Sequence, residues 1–277
     1  MFKKYFPFFK ASSMDLMAFK FNILIWLVIS ALQVVCVVCL WIGVYQSSID
    51  GVDSVINGFT FKEMLMYIVM VNIFGFTVMD GTTLFIINEE IKDGTIAMSF
   101  IKPTSYRLRF VFSNLGAVST LFLMFGVPCF TAAYLIFYFI GFLVVESWYM
   151  LLIHILLFLI SALLASMIND VFSYIFGVLC FYTSAGWGLN QLKQVIMRFL
   201  SGTLIPLSFM PNIMQNILKY SPFAGLAQNP VLIMLMKVDV FESLSMVGLS
   251  FVWLVALEVF AHFLFAHASK KITVHGG

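Results

Sequence analysis

An all-α, polytopic membrane protein is the fold class this sequence predicts, and three observations predict it. The chain of 277 residues is 62% hydrophobic and 10% charged, with a mean hydropathy of +1.04. Stretches free of Asp, Glu, Lys and Arg run from Phe21 to Ile49, Phe110 to Val145, Ser147 to Asn169 and Val171 to Leu192. Each meets the ~20 apolar residues that carry a helix across a bilayer. No segment alternates in the ten-residue pattern of a membrane β-strand. The net charge of +2 is uninformative about nucleic acid, because the basic residues cluster at loops rather than forming a basic face, and no nucleic-acid partner is expected.

Residues 1–20, MFKKYFPFFKASSMDLMAFK, are basic and aromatic and too polar to span. They predict an amphipathic interfacial helix leading into a single transmembrane domain, 21–277. A signal peptide fits less well, because the following apolar run is too long and lacks a small-residue cleavage site.

Six spans are expected: Phe21 to Tyr45, Met64 to Ile87, Phe110 to Tyr138, Trp148 to Ile168, Val171 to Leu200 and Leu244 to Ala268. Gly126 and Pro128 are expected to kink the third, and Asn169-Asp170 to form the turn between the fourth and fifth. Pro206, Pro211, Pro222 and Pro230 fall between the fifth and sixth spans, so residues 201–236 cannot be one straight membrane helix. They predict a re-entrant hairpin, whose backbone is tolerated at membrane depth only where protein or water covers it.

Between the second and third spans lies a polar loop, 88–109, that holds seven charged residues. Gly94 is expected to end the second helix, and Thr95 to N-cap a short helix through Ile96, Met98, Phe100 and Ile101 that Pro103 stops. Its apolar side offers a partner groove its anchors, while Arg107 and Arg109 are expected to anchor the third span at the headgroups. An ordinary amphipathic loop on the membrane surface is the other reading of the same residues.

Basic residues assign sides. Lys3, Lys4, Lys10, Lys20, Lys92, Lys102, Arg107, Arg109, Lys270 and Lys271 fall on one side, and Lys62, Lys193, Arg198, Lys219 and Lys237 on the other. Both termini and the polar loop are therefore expected in the cytoplasm. That assignment depends on Lys193 and Arg198 lying at the outer end of the fifth span. No internal repeat is visible, which disfavours a secondary transporter built from inverted repeats.

Glu90-x-x-x-Gly94-Thr95 followed by Pro103 resembles the E-x-x-x-G-T…P element after the second span in permease subunits of type 2 ATP-binding-cassette exporters. FLSGTLIPLSFMPNIMQNILKYSPF is similar to the S-G-x-x-x-P…P…P-F stretch between that superfamily's fifth and sixth spans. Together with the six-span layout, the likeness covers nearly the whole chain. Ala97, Ser99 and Asn169-Asp170 depart from many relatives.

The resemblance implies a permease of the bacterial plasma membrane that exports amphipathic, drug-like, peptide or lipid cargo, with no cofactor of its own. It implies two ATPase subunits that bind ATP and Mg, and a second permease chain, identical or related. It makes the 88–109 helix a coupling helix, with Glu90, Gly94, Thr95, Ile96, Met98, Phe100, Ile101 and Pro103 facing the ATPase. Gly202, Pro206, Pro211 and Pro222 would shape an outer gate. The chain contains no G-x-x-x-x-G-K-[ST] nucleotide loop, in keeping with separate ATPases.

Ionisable groups within spans are functional candidates because a charge in hydrocarbon is costly. Glu258 and His262 share a face of the sixth helix. They could line the translocation path with Asp80, relay a proton, or pair with each other as packing; His154 reads as an interhelical hydrogen bond. Cys36-x-x-Cys39 lies in an apolar run without further ligands and reads as packing. Two other functions fit the same residues. A proton-linked secondary transporter would use Glu258 and His262, whereas a membrane-embedded enzyme would need an H-E-x-x-H, which is missing, or an arginine in place of Gly94.

Overall fold

The computed structural model describes residues 2–48, 51–79, 81–142, 147–183 and 185–271. Helices α1 (Phe6–Ala18) and α2 (Lys20–Gln46) precede a small hairpin of β1 (Val55–Ile56) and β2 (Phe59–Thr60). There follow α3 (Phe61–Val78), α4 (Thr83–Lys92), the short α5 (Ile96–Ile101), α6 (Tyr106–Leu121) and α7 (Val127–Phe139). The chain continues through α8 (Trp148–Leu179), α9 (Gly186–Leu200), α10 (Asn212–Lys219), α11 (Gln228–Met234) and α12 (Val240–Ala268). Among the described residues, five stretches are long and apolar enough to cross a bilayer: Phe21–Gln46, Phe61–Lys92, Tyr106–Phe139, Trp148–Leu179 and Val240–Ala268. The chain is an all-α, multi-pass membrane protein.

The expected N-terminal helix is α1, with Pro7 in its first turn, where a missing N–H leaves no bond unmade. It lies against α6 so closely that a Cβ at Gly116 would run into the Phe9 carbonyl. Ser13 Oγ donates to the Gly116 carbonyl at 3.1 Å, and Tyr5 stacks on Phe112. The β1–β2 hairpin turns at Asn57-Gly58, both at positive φ, as a two-residue turn requires. It delivers Thr60 to cap α3 reciprocally with Glu63.

The second expected span is broken between α3 and α4. Asn169 Nδ2 donates to the Met79 carbonyl at 2.8 Å, pairing one backbone group that the break frees. The third span departs from α-geometry at Phe122–Gly126, a π-turn in which Val127 N–H reaches back to the Phe122 carbonyl. The predicted irregularity at Gly126 thus takes the form of one inserted residue, directly before Pro128.

Asn169 and Asp170 form no turn. They lie inside α8, which runs unbroken for 32 residues, about 48 Å. Asp170 is tolerated there because a guanidinium and a hydroxyl from other helices satisfy it. The helix that follows, α9, has 15 residues and spans only about 22 Å.

Helices α8 and α12 run in the same direction. His154, near the start of α8, places Nε2 3.1 Å from the carbonyl of Val238, just before α12, while Asp170 and Glu258 further along share one arginine. The chain between them must return the full length of the bundle. α9 makes the first part, and the proline-rich segment 201–236 the second. Lys237 Nζ then meets Glu63 at 3.1 Å and the Gly58 carbonyl at 2.9 Å, at the end opposite the polar loop.

Lys193 therefore does not sit at the far end. It is buried, and its Nζ donates to Ser173 Oγ at 2.8 Å, one turn from Asp170. Arg198, a turn further along α9, is exposed.

Candidate functional site

At the end of the bundle that carries the polar loop, two arginines of the first two turns of α6 organise the polar side chains. Ser105 caps this helix, accepting from the Leu108 N–H, and its own N–H donates to Tyr5 Oη at 2.8 Å, so α1 is tied to the same turn. Two residues apart, Arg107 and Arg109 diverge by about 200° around the helix. Each meets a different set of partners.

Arg109 holds the loop. Its Nη2 lies 2.7 Å from Glu90 Oε1, and Tyr106 Oη donates to Glu90 Oε2 at 2.8 Å. Nη1 reaches Ser99 Oγ of α5 at 3.4 Å, and the guanidinium covers the rings of Tyr106 and Phe110. Glu90 of α4, Ser99 of α5 and the start of α6 thus form one cross-linked unit.

Within it, Gly94 adopts φ +69, a conformation glycine takes without strain, and closes α4. Thr95 occupies the N-cap position of α5, but its side chain makes no capping bond. Lys102, preceding Pro103, is extended, and α5 stops there. Ile96 turns into the chain's own core at 4% exposure, whereas Met98 and Ile101 are 63% and 84% exposed. The Phe100 side chain lies outside the described residues.

Arg107 points the other way and does not reach the headgroups as an anchor. Its Nη1 lies 2.6 Å from Asp170 Oδ2 on α8, and its Nε and Nη2 grip both oxygens of Glu258 on α12 at 3.1 and 2.7 Å. Thr83 Oγ1 of α4 donates to Asp170 Oδ1 at 2.6 Å, and the guanidinium lies over the Tyr174 ring. Three helices therefore meet at one cation, and α4 joins them through Asp170. Such a forked donor suits two carboxylates, as an ammonium would not.

Glu258 is thus engaged with Arg107 rather than with His262, which is exposed beside Phe263. Asp80 lies outside the described residues. His154 lies with Nδ1 2.9 Å from the Met150 carbonyl and Nε2 3.1 Å from that of Val238, and a neutral ring donates to one of the two; the Val238 contact, across to the start of α12, is the interhelical role its place in an apolar run implied.

At the other end, Gly202 takes φ +84 and its carbonyl accepts from Tyr67 Oη at 2.8 Å. Gln228 pairs the irregular backbone, its Oε1 accepting from Leu207 N–H at 2.6 Å and its own N–H bonding the Ser201 carbonyl. Pro206 and Pro222 are buried, while Pro211 is exposed at the start of α10. Gln215 Nε2 bridges the carbonyls of Ser208 and Met210. Side-chain amides thus supply bonds that a continuous helix would have made internally.

Sequence reasoning singled out Glu90, Gly94 and Pro103 but missed Arg107, Asp170, Thr83 and Gln228 as structural partners. The available signal was Asp170 itself, a carboxylate in an apolar run that needs a cation on another helix.

A family model described as ABC-2 family transporter protein matches residues 34–276. Comparison with curated proteins and with solved structures finds no match.

Proposed function

Since the chain belongs to the ABC-2 family of transporter proteins, we propose that this transporter permease is the membrane subunit of an ATP-driven exporter, powered by two separate ATPase subunits. The observation that carries the proposal is the cross-linked unit of Glu90, Arg109, Tyr106 and Ser99. It fixes α5 to α4 and α6 while Met98 and Ile101 stand uncovered. A rigid mount with exposed apolar anchors is what a coupling helix needs in order to pass ATPase closure into the membrane as a rigid-body displacement.

In this reading the polar-loop end is cytoplasmic, in a bacterial plasma membrane. The chain crosses six times, the fifth crossing being composite: α9 followed by the re-entrant segment 201–236. A second permease chain, identical or related, completes the path, and Gly202, Pro206, Pro211 and Pro222 shape its outer gate. ATP and Mg are bound by the ATPases, whose contact on this chain is the uncovered side of α5 at Met98 and Ile101, with Glu90, Gly94 and Pro103 holding that helix in place.

The test is purification of the tagged chain in mild detergent from its host, with the accompanying proteins identified and counted by mass spectrometry. Two ATPase copies per two permease chains is the expected result. A chain that arrives alone while other membrane complexes survive would remove the ATP-driven reading.

A further inference from the structure

Helix α9 carries three side-chain stripes, each at i, i+3, i+7 spacing and about 100° from the next. Asn190, Lys193 and Met197 are buried against the bundle, and Lys193 directs its Nζ to Ser173. Leu192, Val195 and Phe199 are exposed and apolar, as a lipid-facing stripe is. Gln191, Gln194 and Arg198 form the third. Gln191 and Arg198 are exposed and Gln194 is half-buried, and among the described residues none of these three has a hydrogen-bond or ion-pair partner.

Depth makes this stripe unusual. Trp187, 69% exposed in the first turn of α9, marks the headgroup level on the polar-loop side. Arg198 lies 11 residues further along, about 16 Å deeper, and half of a ~30 Å hydrocarbon core is ~15 Å. Five residues beyond it, Thr203 packs on Gly75, near the middle of the Phe61–Lys92 stretch. Arg198 is therefore level with the centre of the bilayer, too deep for its stem to carry the guanidinium to the headgroups.

Lipid offers nothing to two amides and a cation at that depth. Water or a second chain must lie beside them. A second copy brings no unpaired carboxylate to this level among the described residues, because Arg107 already holds Asp170 and Glu258. A dry contact between copies would leave Arg198 unmatched, which is strongly unfavourable. A water-filled path leaves it solvated, with its forked donors open to an oxyanion.

We propose that Gln191, Gln194 and Arg198 wall a water-filled path through the membrane, and that Arg198 selects cargo bearing a carboxylate, phosphate or sulfonate. The proposal rests on the transport reading and gives it a charge class of cargo.

The test replaces stripe residues one at a time by cysteine in a background cleared of native cysteines. The complex as purified from its host, in nanodiscs open to water on both sides, is treated with two membrane-impermeant methanethiosulfonates, with and without ATP and Mg. One reagent bears a sulfonate and the other a quaternary ammonium, and each rate is divided by that for a free thiol in solution. Gln191→Cys and Gln194→Cys are expected to react. The sulfonate should be favoured about tenfold in Gln194→Cys, one turn from Arg198, and less in Gln191→Cys. Adding Arg198→Gln should remove the preference, and Arg198→Lys should keep it. Failure of both cysteines to react in either condition, at the parent's thermal midpoint, overturns the path, as does equal reaction of Leu192→Cys. Equal normalised rates for the two reagents, the result if a related chain's carboxylate already matches Arg198, overturn the anion assignment, and so does a preference that survives Arg198→Gln. Labelling needs no ATP hydrolysis and copurification of ATPases is scored separately, so either idea can fail without the other.

Discussion

Arg107 and Asp170 stand 63 residues apart in sequence and 2.6 Å apart in space, and their pair pins the first turn of one crossing helix to the interior of another. Arg107→Ala would leave Asp170 and Glu258 as two carboxylates with no cation between them. Breaking such a buried pair costs about 3–5 kcal/mol, which a thermal melt in detergent would read as a clear drop in midpoint. Arg107→Lys should recover only part of it, because an ammonium cannot serve both carboxylates with a fork. Adding Asp170→Asn and Glu258→Gln to Arg107→Ala should restore much of the lost stability; a midpoint that stays low would show that shape rather than charge is at stake.

Ile96 and Ile101, at the two ends of α5, should separate folding from docking. Ile101→Asp alters an exposed side chain and is expected to change stability by less than about 0.5 kcal/mol, while ATPase subunits cease to copurify. Ile96→Ala deletes buried volume and should cost about 2–4 kcal/mol. Retention of a full complex by Ile101→Asp would sink the coupling assignment.

Gly116 tests the seat of α1. Its missing Cβ admits the Phe9 carbonyl, so Gly116→Leu must push the helices apart. Amide exchange along Phe6–Ala18 is expected to accelerate while α8 keeps its protection. Slow exchange of α1 in the variant would mean that lipid rather than α6 holds it.

How much of this was legible depends on distance along the chain. The insert could be read because Glu90, Gly94 and Pro103 act locally: a left-handed glycine closes one helix and a proline stops the next. The Asn57-Gly58 hairpin carried an equally local signal that went unread. Asp170 was misread because a polar pair between apolar runs looks like a loop, and only partners on α4 and α6 make it stable inside a helix. Arg107 was misread for the same reason, since basic residues beside a span usually face headgroups. The return leg was concealed by its own composition, for nothing in Gly186–Leu200 announces that it stops partway.

Leu207 and Ile213 probe the far end. Leu207 is 3% exposed and Ile213 is 77% exposed. In a background cleared of native cysteines, Ile213→Cys should react at rest with a membrane-impermeant maleimide applied from outside. Leu207→Cys should react only during turnover. Modification of either from the cytoplasmic side alone would reverse the orientation proposed for the bundle.

The π-turn at Phe122–Gly126 also makes this helix sensitive to chain length in a way its side chains are not. One residue is in excess there, so the stripe facing inward before the turn and the stripe facing inward after it are offset by roughly 100°. Exposed Leu123 could be exchanged for other apolar residues with little effect. Its deletion would restore a continuous α-helix and swing Phe130, Ala133 and Phe137 out of the core together. For this segment, the heritable information that matters most is a count rather than a letter.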